Sequence, residues 1–164
     1  MKKLLMIPVL LFAGALWADP VTCLDPNGRL IGTATTDGNI TTYRDRNSRI
    51  IGSSIQNGPQ FIYRSAYGRV IGTVTPNGSS TTYRDANGRI FGSAVNDGKQ
   101  ITYRDRDSKI IGTATPSGSK TTYQDAGGKI IGSVSCGENN DFTRDAFLLV
   151  QSASRFNFWI SFPE

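Results

Sequence analysis

The sequence has no histidine, and its 164 residues include only two cysteines, two methionines and two tryptophans. Without histidine the chain lacks the commonest general base and the commonest metal ligand, which excludes Ser-His-Asp and Cys-His machinery and His-ligated zinc. Cys23 and Cys136 form no C-x-x-C pair, so a thioredoxin-like redox motif is excluded as well. Long apolar runs are equally scarce. The run from Leu4 to Trp17, broken by Pro8 and by Ala13-Gly14-Ala15, follows Lys2 and Lys3 and is too short and wrongly flanked for a membrane span. It reads as a secretory signal peptide, residues 1–18, with cleavage after Ala18 or at Ala13-Gly14-Ala15. No lipoprotein box precedes Cys23. Neither charge sign dominates: 18 Lys and Arg face 13 Asp and Glu, a net +5 that falls to +3 once Lys2 and Lys3 are removed. Such an excess requires no specific nucleic-acid partner.

What the chain has in abundance is repetition. Tyr43, Tyr63, Tyr83, Tyr103 and Tyr123 step by twenty, as do Gly32, Gly52, Gly72, Gly92, Gly112 and Gly132. Turn dipeptides recur every ten residues, as at Asn27-Gly28, Asp37-Gly38, Asn47-Ser48 and Asn57-Gly58, and the stretches between them are rich in Thr, Ile, Val and Tyr. Asn-Gly and Asp-Gly suit type I′ hairpins, so the chain is expected to be all-β, an antiparallel meander of hairpins. Placing each turn on its dipeptide gives strands of about eight residues such as 29–36, 39–46 and 49–56.

That register sets every tyrosine between two glycines, Tyr43 facing both Gly32 and Gly52, with the ring covering bare backbone. It also puts Thr41, Tyr43, Asp45, Ile50, Gly52 and Ser54 on a core face, and Thr42, Arg44, Arg49, Ile51 and Ser53 on the other. Open twisted sheets rarely exceed about ten strands. A repeat domain spanning 19–136 supplies about a dozen, so the meander is expected to close into a barrel-like or flower-like ring.

Cys23 occupies a tyrosine frame position, and in an oxidising compartment a Cys23–Cys136 disulfide is the simplest reading. With the last strand continuing the register beside the first, Cys23 faces Gly132 and Cys136 lies too far along, which calls for a staggered closure. After Gly137 the rhythm fails. Residues 137–164, ending in the alternating Phe156, Phe158, Ile160 and Phe162, are expected to pack on the repeat domain. The repeat strands carry Thr, Ser, Arg and Asp on both faces and lack a lipid-facing band, so the chain is not expected to be an integral membrane protein.

The runs Asp85-Ala86-Asn87-Gly88-Arg89-Ile90 and Asp25-Pro26-Asn27-Gly28-Arg29-Leu30 resemble the D-x-x-G-R-L core of YD (Rhs-type) repeats, but the residue before the aspartate is Arg44, Arg64, Arg84, Arg104 or Gln124 instead of tyrosine. The exported single-domain plan resembles the five-fold β-flower proteins, small bacterial proteins of β-hairpin repeats around an axis. Neither resemblance implies a catalytic residue, metal or cofactor. The recurring Asp25, Asp45, Asp85, Asp105 and Asp125 stand at turns, where aspartate binds turn amides. No enzyme activity is expected. The remaining functional candidates are Arg44, Arg64, Arg84 and Arg104, a repeated cationic column with Arg29, Arg49, Arg69, Arg89, Lys109 and Lys129 nearby, suited to an anionic envelope polymer. The competing readings are stems that cover outer isoleucines while pairing with aspartates across the turns, and a structural role beside another envelope protein in the periplasm or outside the cell.

Overall fold

The structure is a computed structural model and describes residues 20–135; the expected leader, Cys136 and the segment 137–164 lie outside the described residues. Twelve antiparallel strands follow one another: β1 Val21–Leu24, β2 Leu30–Asp37, β3 Ile40–Asp45, β4 Ile50–Asn57, β5 Gln60–Ser65, β6 Val70–Asn77, β7 Ser80–Asp85, β8 Ile90–Asn96, β9 Ile101–Asp105, β10 Ile110–Ser117, β11 Lys120–Asp125 and β12 Ile130–Ser135. Each pairs with its neighbours in sequence, and β12 pairs with β1, so the meander is a closed barrel. Among the described residues no helix is long and apolar enough to cross a membrane, which leaves crossing by strands a separate question.

Two kinds of turn alternate, and neither is the expected type I′. After β2, β4, β6 and β10 the chain reverses through a two-residue loop such as Gly38-Asn39, closed by Asp37 opposite Ile40, whereas four residues, 97–100, join β8 to β9. Glycine has a positive φ (58° at Gly38) and the next residue does not. That is the II′ pattern, and it accommodates Pro59 at the second position. After each odd-numbered strand the loop has three residues: Asp45 opens it, Ser48 accepts a left-handed φ of 64°, and Asp45 N–H donates to the Arg49 carbonyl. This is a type I turn followed by a left-handed residue.

Turn type sets register. Because the two-residue loop is Gly38-Asn39 and not Asp37-Gly38, Tyr43 faces Ala34, and the expected Tyr43–Gly32 pair is not made. On its other side Tyr43 does face Gly52. Each tyrosine thus lies between one glycine and one small or aliphatic residue: Ser54 for Tyr63, Val74 for Tyr83, Ala94 for Tyr103 and Ala114 for Tyr123. Beyond the Tyr43–Gly52 pair a bulge intervenes, since Arg44 opposes Ile50 and leaves Ile51 with no partner across the strand. The bulge overturns the expected placement of Ile50 on the core face. Ile50, on the Arg44 side, is 49% exposed, whereas Ile51 is half-buried and packs against the core. Its counterparts Ile31, Ile71, Phe91, Ile111 and Ile131 behave alike, with the Phe91 ring 6.1 Å from that of Tyr83.

Inside the barrel the five tyrosines are buried with Val21, Cys23, Ala34, Val74, Ala94, Ile101, Ala114 and Val134. Tyr43 and Tyr63 stack with centroids 6.2 Å apart, and the Tyr43 hydroxyl lies 2.9 Å from Ser54 Oγ. Burial, with neighbouring Tyr123 and Tyr83 adding to it, holds the Tyr103 phenol well above its ordinary 10.0. The repeated glycines answer to the backbone more than to the rings. A Cβ at Gly92 lies 2.7 Å from the Arg104 carbonyl oxygen, and at Gly32, Gly52, Gly72 and Gly112 the corresponding carbonyl is 2.5–2.6 Å away. Real Cβ atoms do not approach that closely.

At the seam the barrel uses its own repeat. Cys23 lies between Gly32 and Val134, as Tyr43 lies between Gly52 and Ala34, so β12 and β1 together make the sixth unit. The expected Cys23–Gly132 facing, and the special stagger inferred from it, came from the same misplaced turn. Cys23 is fully buried; the proposed bond to Cys136 falls outside the described residues.

Candidate functional site: an arginine belt and a basic rim

The three-residue turns gather at one end of the barrel and the two-residue turns at the other. At the first end each D-x-x-G-R run builds a self-satisfied loop. Oδ1 of Asp25, Asp45, Asp85, Asp105 and Asp125 accepts the N–H groups two and four residues on, at 2.8–3.0 Å. The third loop departs from this. Ser65 replaces the aspartate, and Tyr67, in the place of Asn27, Asn47 and Asn87, stands 95% exposed at the tip.

Arg44, Arg64, Arg84 and Arg104 lie on the outer face one residue before these loops, with Gln124 at the equivalent place in β11. Closure changes their arrangement. Successive units run around the barrel, so the four form a belt over part of its circumference and not a column along one face, with neighbours two strands, or about 10 Å, apart. Each guanidinium is tied down. Nη1 donates to the carbonyl of the left-handed residue in its own loop: Arg44 to Ser48 at 3.1 Å, Arg64 to Gly68 at 2.9 Å, Arg84 to Gly88 at 3.0 Å and Arg104 to Ser108 at 2.9 Å. Pairing with Asp45-type carboxylates is not what holds them. One ion pair occurs among the described residues, the exposed Arg106–Asp107 contact at 3.6 Å.

Arg29, Arg49, Arg69, Arg89, Lys109 and Lys129 differ from the belt. Each closes a three-residue loop, each is exposed, and their side chains make no hydrogen bond or ion pair among the described residues. They occupy all six units. With the belt, Arg46 and Arg106, this end carries twelve Lys and Arg against six Asp among the described residues, a net +6. Among the described residues the opposite end carries Lys99 and Lys120 against Asp37 and Asp97, a net of zero. Asp97 is held below its ordinary 3.8 first by the Gln100 and then by the Lys99 backbone N–H. One residue past each rim cation stands an aliphatic side chain; Leu30, Ile50, Ile90, Ile110 and Ile130 are exposed and Val70 is half-buried.

Sequence reasoning located the arginines but missed three features of the site. The exposed aliphatics were assigned inward because the bulge leaves no mark in the residue spacing. Tyr67 was visible as an aromatic breaking the Asn-Gly series, yet its exposure depends on the loop geometry. The imbalance between the two ends appears only when every second turn is assigned to the same end.

No known protein family matches the chain, and no curated protein matches it in sequence. Among solved structures it is similar to an X-ray structure of a protein from Arabidopsis thaliana, with a TM-score of 0.53 at 10% sequence identity, over 80% of this chain and 87% of that one. At that identity the likeness concerns the fold alone.

Proposed function

We propose that the protein is an exported, non-catalytic binding module whose ligand is an anionic polymer of the bacterial envelope, such as lipopolysaccharide phosphates or an acidic glycan. The observation that carries this reading is the net +6 that the described residues gather at one end of the barrel. Guanidinium groups suit phosphate and carboxylate, and weak sites repeated around a ring add through avidity. The leader-like residues 1–18 and the even pair of cysteines support export and a Cys23–Cys136 disulfide. Kinship with the β-flower and YD repeat proteins rests on the D-x-x-G-R resemblance, and the six hairpin units depart from a five-fold plan.

The test is a binding screen against envelope polymers across a salt series, comparing wild type with a variant carrying Arg64→Gln, Arg84→Gln and Arg104→Gln. Salt-sensitive binding weakened in the variant supports the belt as part of the site; binding indifferent to salt and to substitution removes it. A second reading, a structural part of an envelope assembly, is favoured by the exposed outer aliphatics. It calls for co-purification with other envelope proteins, whereas a soluble binder purifies as a single species.

A further inference from the structure

We propose that the basic end of the barrel docks, end-on, against the phosphate-bearing surface of an anionic lipid bilayer, through the ring of Arg29, Arg49, Arg69, Arg89, Lys109 and Lys129. This rests on the reading of the protein as an anion binder and names the partner and the residues. Three observations carry it. The first is geometric. The six cations occupy one position in six equivalent units of a closed barrel, so they share one level around the axis at one end. A flexible polymer must bend around the rim and lose conformational freedom to reach all of them, while a flat surface reaches all six together. The second is availability: the belt arginines already donate to loop carbonyls, whereas the rim cations are exposed and without such partners among the described residues. The third is the company they keep. Tyr67, 95% exposed at a loop tip, and the exposed aliphatics one residue behind the cations gain from a headgroup interface and gain nothing from a hydrated glycan. The described residues of the opposite end sum to zero charge, so among them only the basic end attracts an anionic surface and sets the orientation.

The experiment is co-sedimentation of the full chain with vesicles of phosphatidylglycerol and phosphatidylcholine, and of phosphatidylcholine alone, from low to physiological salt. Inorganic polyphosphate serves as the soluble polyanion. Three variants accompany wild type: all six rim cations to Gln, the belt trio Arg64, Arg84 and Arg104 to Gln, and the opposite-end pair Lys99→Gln with Lys120→Gln. Expected are binding to anionic vesicles that falls at least tenfold over the salt range, a loss of at least tenfold in the rim variant, and no change in the opposite-end variant. Tyr67→Ser is expected to weaken binding severalfold, and a retained melting temperature keeps the rim variant interpretable. Equal binding to phosphatidylcholine alone overturns the proposal, as does loss in the belt variant with the rim variant unaffected. Binding to polyphosphate but not to vesicles overturns end-on docking and leaves the anion-binding reading standing. Binding to neither removes both.

Discussion

The two ends of the barrel are made by the same chain at the same ten-residue interval, yet they solve the hairpin problem differently. At the neutral end four of the five turns are two-residue reversals on a glycine with positive φ, and only the β8–β9 turn leans on side-chain carbonyl and carboxylate oxygens, those of Asn96 and Asp97. At the basic end a three-residue loop recruits an aspartate carboxylate, a left-handed residue, an arginine that caps that residue's carbonyl, and a bulge two residues on. The difference shows where the repeat keeps its chemistry. The elaborate loops are built without using the side chain of the next cation, so each unit presents one uncommitted charge at the rim.

That contrast is open to attack by mutation, and the largest effect is expected beside the elaborate loops. Gly92→Val places a Cβ 2.7 Å from the Arg104 carbonyl oxygen, a backbone atom that cannot swing aside. A loss of about 3 kcal/mol, the upper part of the overpacking range, is expected in chemical denaturation. Gly92→Ala should retain most of that loss, because the clash begins at Cβ; a harmless alanine would return the glycine requirement to the tyrosine rings. Next in size is Asp85→Ala, which strips the acceptor from the Asn87 and Arg89 N–H groups and should cost about 1–2 kcal/mol, in line with the loss of a helix cap. Its mirror, Ser65→Asp, should stabilise the one loop built without the carboxylate. Smaller still is Ser48→Gly. At φ 64° it relieves left-handed strain on a non-glycine residue, and a gain of about 1 kcal/mol or less is expected in the melting temperature series. Thr82→Val, half-buried on the outer face between Thr75 and Ser93, should be close to neutral.

Alkaline pH probes the core between the two ends. The Tyr103 phenol is raised in the folded state, so the folded protein holds a proton that the unfolded chain releases near 10.0. The stabilisation is complete below that pH and is lost as pH rises above it. Melting temperature should therefore fall above pH 10, and less steeply in Tyr103→Phe than in wild type.

How much of this was legible beforehand follows from what each feature depends on. The twenty-residue step of tyrosine and glycine was enough for an all-β meander, the inward tyrosine row and closure of about a dozen strands, because period, face alternation and strand number all lie in the spacing. The turn types were not legible. Asn-Gly serves a type I′ hairpin and equally the end of a type I turn, and choosing wrongly by one residue moved Tyr43 from Ala34 to Gly32 and Cys23 from Val134 to Gly132. The bulge at Ile51 was hidden for a related reason: an extra residue in every unit is itself periodic, so it does not interrupt the rhythm. For the site, the identity of Arg44, Arg64, Arg84 and Arg104 was readable. Their layout as a belt was not, since it depends on which way successive units turn.

The seam between β1 and β12 has a kinetic meaning. Every other pair of strands is joined by a connection of two to five residues and can form locally, whereas Thr22 and Ser135 meet across 113 positions of chain. Closing so long an interval costs about 2 kcal/mol more in chain entropy than closing a ten-residue one. The return is modest, since β1 is only four residues long and pairs with β12 at three positions. Folding should therefore run as a zipper of hairpins that curls into an open crescent, with ring closure as its final and slowest event. The same seam should be the first place where the native ring breathes, transiently opening the facing edges of β1 and β12 while the other eleven strand pairings hold.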